Sequence, residues 1–264
     1  METRDYAHWQ SELQGEVLNL SLNTDNALNT INIETLRELR KISEQVDADA
    51  NVRAIILTGN GRHFCAGMDV RVIQQMLDAD HLEFARNLRE AQQCVDAFEA
   101  VQKPVIALIR GFCIGAGMIL AACCDFRFAD EKAVFSLPEV KRSIGVIMGL
   151  QRVTRLMGRT ATTEMALLGD KHRTAWMRQN GFLNDRLPGD QLEEVVRRTA
   201  RKLSILPPRA VRLNKAIIRE TDGMDLDSAQ KIEIEGQAEL LASRDFREAM
   251  DSYFDGRPPH YTGA

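Results

Sequence analysis

No stretch of the 264 residues approaches the roughly 18 consecutive apolar side chains of a membrane-crossing helix. The opening METRDYAHWQSELQGEV also lacks the apolar segment of an export signal. The expectation is a cytoplasmic protein with no membrane partner. Positive charge is not in excess: 34 Lys and Arg stand against 38 Asp and Glu, for a formal net charge of −4. That balance gives no global attraction to nucleic acid or to an acidic lipid surface. Cysteine is sparse and unpatterned. The five, at 65, 94, 113, 123 and 124, follow neither a metal-site spacing nor a secreted disulfide framework. They read as small buried hydrophobes in a reducing compartment. Internal repeats and low-complexity segments are also missing.

What remains is an ordinary globular composition, 44% hydrophobic and 27% charged, long enough to bury a substantial core. Residues 16–22, EVLNLSL, alternate as a short strand does, and 53-RAIILTG-59 and 104-PVIALIRG-111 are β-branched runs bounded by turn residues. Between them Ile33, Leu36, Leu39 and Ile42, and then Phe84, Leu88, Ala91, Val95 and Phe98, recur at helical spacing. Strands alternating with helices predict an α/β core over 1–188. From 189 to 264 the pattern becomes charged and apolar-periodic, which predicts an all-helical region divided at Pro207-Pro208. The last segment, 256-GRPPHYTGA-264, is expected to be extended or loose, because Pro258 and Pro259 cannot continue a helix.

Two glycine-rich turns each leave a strand and enter a helix. In 59-GNGRHFCAGMDV-70, no Gly-Lys-Ser/Thr follows to make a phosphate loop, and Asp69 is placed to cap the next helix. In 111-GFCIGAGMILAACC-124, Gly115, Ala116 and Gly117 put minimal side chains where a helix begins, so that free backbone N–H groups can face a ligand. Taken singly, each is compatible with plain loop chemistry or close helix-sheet packing. Together they can aim one N–H apiece at a single carbonyl oxygen. His63 precedes the first turn but has no Ser or Cys partner in a triad pattern, and reads as structural. Asp125 reads as a packing carboxylate.

These turns lie among further ordered motifs: NALN at 26–29, FCAGMD at 64–69, KPVIALIRGFCIGAG at 103–117, CDFRFADEKAVFSLPEV at 124–140 and LQRVTRLMGR at 150–159. With the closing SRDFREAMDSYFDGRPPHYTG, they resemble the crotonase superfamily, also called the enoyl-CoA hydratase and isomerase family, over nearly the whole chain. The resemblance implies a spiral of ββα units with a carboxyl-terminal helical region packing between subunits, as a trimer or a dimer of trimers. It implies an acyl-CoA or other acyl-thioester substrate, with CoA entering as substrate and no metal or redox cofactor.

The resemblance also implies residue roles. The backbone N–H groups of Met68 and Ala116 form an oxyanion hole, and Glu139 is the acid–base group. Relatives that hydrate carry a second glutamate two residues past the glycine segment, where this chain has Ile119. That difference points to a one-base Δ3–Δ2 enoyl-CoA isomerase; a hydratase, or a C–C lyase or decarboxylase, is the alternative within the superfamily. A non-catalytic acyl-CoA binder is the alternative of another class. Gly115, Ile119 and Ile144 are expected in the acyl pocket, with 145-GVIMGLQR-152 closing one side. Ala66, Gly67, Asp69 and Arg71 are expected along the CoA, with Arg71 as a phosphate contact.

Overall fold

The computed structural model describes residues 6–75 and 80–264. The chain starts with an antiparallel hairpin, β1 (Trp9–Gln14) and β2 (Val17–Leu22). Helix α1 (Ile33–Ala48) begins at Asn32, whose side chain accepts from Thr35 N at 2.9 Å. Its Leu36, Leu39 and Ile42 are buried as the spacing predicts, while Ile33 is only half-buried and Val46 extends the stripe. Next come β3 (Ala54–Gly59), α2 (Val70–Gln75) and α3 (His81–Glu99). The pattern then repeats as β4 (Val105–Ile109), β5 (Phe112–Ile114) and α4 (Ala116–Ala122). It repeats again as β6 (Phe126–Asp130), β7 (Val134–Ser136), a 3₁₀ turn over Glu139–Arg142 and α5 (Leu150–Leu168). A shorter stretch follows: β8 (His172–Arg173), α6 (Thr174–Gln179) and β9 (Asp185–Leu187).

The strands form two sheets, one of six strands in the order β1-β2-β3-β4-β6-β9 and one of three in the order β5-β7-β8. The two middle units place their first strand, β4 or β6, in the large sheet and their second, β5 or β7, in the small one, whereas β1 and β2 both lie in the large sheet. The unit starting at β3 keeps this path with a single residue, because Cys65 bridges to Cys113 of β5 in parallel register. This is the expected spiral, wound about a core that includes Trp9, Phe98, Phe135 and Phe182.

The remaining helices are α7 (Gly189–Ser204), α8 (Pro208–Glu220), α9 (Leu226–Leu241) and α10 (Arg244–Asp255), with Pro207-Pro208 parting α7 from α8 as predicted. Helix α7 lies on the large sheet, where its Leu192, Val196 and Ala200 join Val17, Ile56, Ile106 and Phe128 in a second apolar cluster. Lys215 ties α8 to the sheet by donating to Asp125 Oδ2 at 2.7 Å and to the Lys103 carbonyl at 3.0 Å. Asp125 also accepts from Val105 N at 2.7 Å, and so acts as the packing carboxylate that the sequence suggested. The final segment has no regular structure, but it is anchored rather than loose. Buried Asp245 accepts from Thr262 N and Gly263 N, each at 2.8 Å, and Glu248 accepts from His260 N at the same distance. Among the described residues no helix is long and apolar enough to cross a membrane.

Candidate active site

The loop after β3 is held from beneath by Asn29. This buried residue adopts a left-handed conformation, φ 52°, which asparagine tolerates better than most side chains. Its Nδ2 donates to the carbonyls of Asn60 at 2.8 Å and His63 at 2.7 Å, while the Leu28 carbonyl accepts from Ala66 N at 3.0 Å. The sequence presented Asn29 only as part of NALN; nothing local to it announced two buried carbonyls awaiting a donor. His63 Nδ1 accepts from Phe112 N at 3.1 Å, and its ring stacks on Phe112. Burial, with a smaller contribution from Arg62, holds its pKa below the usual histidine value, so the neutral ring that this bond requires is favoured. His63 is a joint between the two loops, consistent with the structural role read from the sequence.

This joint brings the two turns side by side. Ile31 bridges to Met68: its N–H donates to the Gly67 carbonyl at 2.9 Å, and its carbonyl accepts from Asp69 N at 2.8 Å. In a parallel bridge the opposed residue turns its own N–H and C=O away, so Met68 N–H faces the opposite side. Ala116 is the first residue of α4, where the backbone N–H has no partner within the helix. Among the described residues neither amide donates a hydrogen bond. The turns touch through glycine. A methyl group built on Gly67 would come within 3.1 Å of the Ile114 carbonyl oxygen and 3.8 Å of Ala116 N. Gly67 and Gly115 both take positive φ, 102° and 54°, where a side chain is strained even without the contact.

Glu139 opens the 3₁₀ turn after β7 and points its carboxylate at this spot. A methyl group on Gly115 would sit 2.8 Å from Glu139 Oε1, while Oε2 is buried with no hydrogen-bond partner. Burial pushes the Glu139 pKa up; its own backbone N–H and the Arg142 charge oppose that rise. Ile119, one turn along α4, is buried at 1% exposure and supplies only shape. The Cys65 thiol beneath the loop is pushed up to about 12 by burial and stays protonated. Among the described residues no group of three His, Cys, Asp or Glu side chains is arranged to hold a metal ion.

A cleft of about 1650 Å³ opens over these groups, and Met68, Gly115, Ala116, Ile119, Glu139 and Ile144 all line it. Its volume exceeds the roughly 300–1,000 Å³ of common small-ligand pockets, so a long ligand fits. Ala66, Gly67, Asp69 and Arg71 also border it. Asp69 caps α2 through Arg71 N at 2.8 Å and grips the Arg71 guanidinium at 2.6 Å, which pulls its own pKa down. Arg71 remains largely exposed beyond that pair. Among the described residues Arg142 and Lys171, also on the cleft, have no ion pair, leaving cationic charge for an anionic ligand. The sequence-predicted residues therefore converge on one cleft: two free amides, one carboxylate held in an apolar setting, and no second carboxylate at 119.

Comparison with known proteins agrees with this arrangement. The family described as enoyl-CoA hydratase/isomerase matches residues 12–264. A crotonyl-CoA hydratase of Syntrophomonas wolfei is 31% identical over 246 residues, covering 92% of this chain and 93% of that protein. A peroxisomal Δ(3,5)-Δ(2,4)-dienoyl-CoA isomerase of Arabidopsis thaliana is 27% identical, covering 93% and 92%. The crystal structure of an enoyl-CoA hydratase from Bacillus anthracis superposes with a TM-score of 0.90 at 28% identity, covering 97% of this chain and all of that one. By sequence, by its crotonase fold and by a match over nearly the whole chain, it belongs to the enoyl-CoA hydratase/isomerase family of acyl-CoA enzymes.

Proposed function

We propose that this enzyme shifts a double bond in an enoyl-CoA from Δ3 to Δ2, with Glu139 as its single acid–base group. The observation that carries the reading is the pairing of Glu139, whose Oε2 is buried without a partner, with an isoleucine at 119. Glu139 removes a proton from C2, and the electron pair moves onto the thioester oxygen as a dienolate. The amides of Met68 and Ala116 bind that oxygen, each such donor contributing about 2.7–4 kcal/mol to the transition state. The protonated Glu139 then returns the proton at C4, and the double bond comes to rest between C2 and C3. One carboxylate suffices because the group that takes the C2 proton is the group that protonates C4, and its acidic proton exchanges with solvent between the two steps. The raised pKa of Glu139 suits both halves of this cycle. Ala66, Gly67 and Asp69 would border the CoA, and the outer edge of the Arg71 guanidinium would meet a phosphate.

Hydration is the second reading, supported by the names of relatives such as the crotonyl-CoA hydratase. It needs a positioned water, and the buried Ile119 offers that water no hydrogen bond. The test is proton NMR of 3-enoyl- and 2-enoyl-CoA thioesters in deuterated water with wild type and Glu139→Gln. Deuterium at C2 or C4 with a migrated double bond, lost in the variant, is the expected result. A 3-hydroxyacyl-CoA product would establish hydration instead, and binding without any exchange would leave a non-catalytic thioester binder.

A further inference from the structure

The cleft is walled on one side by α3, through Leu88 and Ala91, and on another by the segment 144–149, through Ile147 and Met148. These walls are fastened to each other. Gln92, next to Ala91, donates through Nε2 to the Ile147 carbonyl at 2.8 Å. The following carbonyl, that of Met148, accepts from Arg152 Nη1 at 3.2 Å. Arg152 is in turn held to α3, its Nε donating to Glu99 at 2.9 Å and its Nη2 to Asp96 at 2.7 Å. Its side chain is only 14% exposed, so these bonds are better shielded than those of a surface ion pair. The segment is also seated from below: a methyl group on Gly149 would lie 3.1 Å from Ile119 Cγ2.

We propose that Gln92 and Arg152 determine the acyl-chain selectivity of this site. They fix the carbonyls of two consecutive residues that line the cleft, and so hold Ile147 and Met148 at a set distance from α3. The width left between the two walls is the width offered to the acyl chain. This rests on the acyl-thioester reading of the cleft. Gln92 is the sharper probe, because it carries no charge and makes a single bond. Gln92→Leu removes the donor. Gln92→Glu keeps the shape but, once ionised, turns an acceptor toward the Ile147 carbonyl.

The measurement is kcat/KM for 3-enoyl-CoAs of increasing chain length, paired with Kd for the matching saturated acyl-CoAs. Both variants are expected to raise the long-to-short ratio by about tenfold, equivalent to about 1.4 kcal/mol. In Gln92→Glu the ratio of Kd values should return toward wild type as the pH falls and the introduced acid regains a proton to donate. Changes by one common factor at every chain length, or an unchanged ratio in either folded variant, would overturn the proposal. Wild-type protein that binds none of the saturated thioesters would overturn the acyl-thioester reading first, and this inference with it.

Discussion

Burial costs an ionised Glu139 more hydration than its own backbone N–H and the Arg142 charge make up, and that loss raises its pKa. The folded-state value lies above the unfolded one, so the unfolded chain ionises first as pH rises. The contribution of Glu139 to stability is therefore full below the unfolded value of about 4.3 and is lost as pH climbs through the folded value. Above that value the buried charge works against the fold. Glu139→Gln should raise the melting temperature near neutrality and leave it unchanged in acid, while kcat falls by roughly 10²–10⁴. Melts at both pH values with a parallel rate assay check this; a neutral-pH melting point below wild type would refute it. The acid limb of the wild-type rate profile should likewise lie above the titration of an ordinary glutamate.

At the scale of elements, α4 decides where the Ala116 amide points. Gly117 lets the helix approach the loop, since a methyl there would meet the Cys65 carbonyl oxygen at 2.5 Å. Gly117→Ala should destabilise the protein by about 1–3 kcal/mol, as overpacking does. Because it also moves the Ala116 amide, it should lower kcat by about 10- to 100-fold, a fraction of one donor's contribution; steady-state kinetics and denaturant melts measure the two effects. The junction of β5 with its neighbouring loop depends on His63 in the same way. Its folded-state pKa is depressed, so its contribution is full above the unfolded value of about 6.5 and is lost as pH falls through the folded value. Wild type should therefore lose stability in mild acid. His63→Ala should flatten that slope and cost about 1–3 kcal/mol by stranding the Phe112 N–H, which urea melts across pH would reveal.

The elements legible in the sequence were those long enough to show a period. Helices α1 and α3 and strands β2, β3 and β4 announced themselves by spacing, and Pro207-Pro208 marked a helix boundary. Strands β5, β7 and β8 have three, three and two residues, too few for an alternation to register. The candidate site was legible through the glycine turns and through the motifs that carry the family resemblance, which alone single out Glu139 and Ile119. It was not legible where it depends on backbone direction, as with Asn29, or on partners distant in sequence, as with Gln92 and the Ile147 carbonyl. Asp245 and Glu248 show the same limit, because prolines forecast an irregular tail but not the carboxylates that anchor it.

At the scale of the whole molecule, the carboxyl-terminal helices carry more apolar surface than a solitary chain tends to leave in water. Ile218, Leu226, Ile234, Tyr253 and Phe254, spread over α8, α9 and α10, are each between 69% and 81% exposed. The expected cover is further copies of this chain, as a trimer or a dimer of trimers. Sedimentation should report that mass, and Tyr253→Asp combined with Phe254→Asp should shift it toward smaller species; a wild-type monomer at micromolar concentration would refute the expectation. The spiral path has a kinetic corollary. Met68 and Ala116 become neighbours only when Cys65 pairs with Cys113, and Glu139 joins them only after another unit has wound into place. Such contacts close late, because the loop between their partners must be ordered before they reward it. Refolding should therefore recover no catalytic fraction ahead of the global transition, and a ribosome-bound chain stopped before residue 139 would hold no primitive version of the enzyme to be exposed to its substrates.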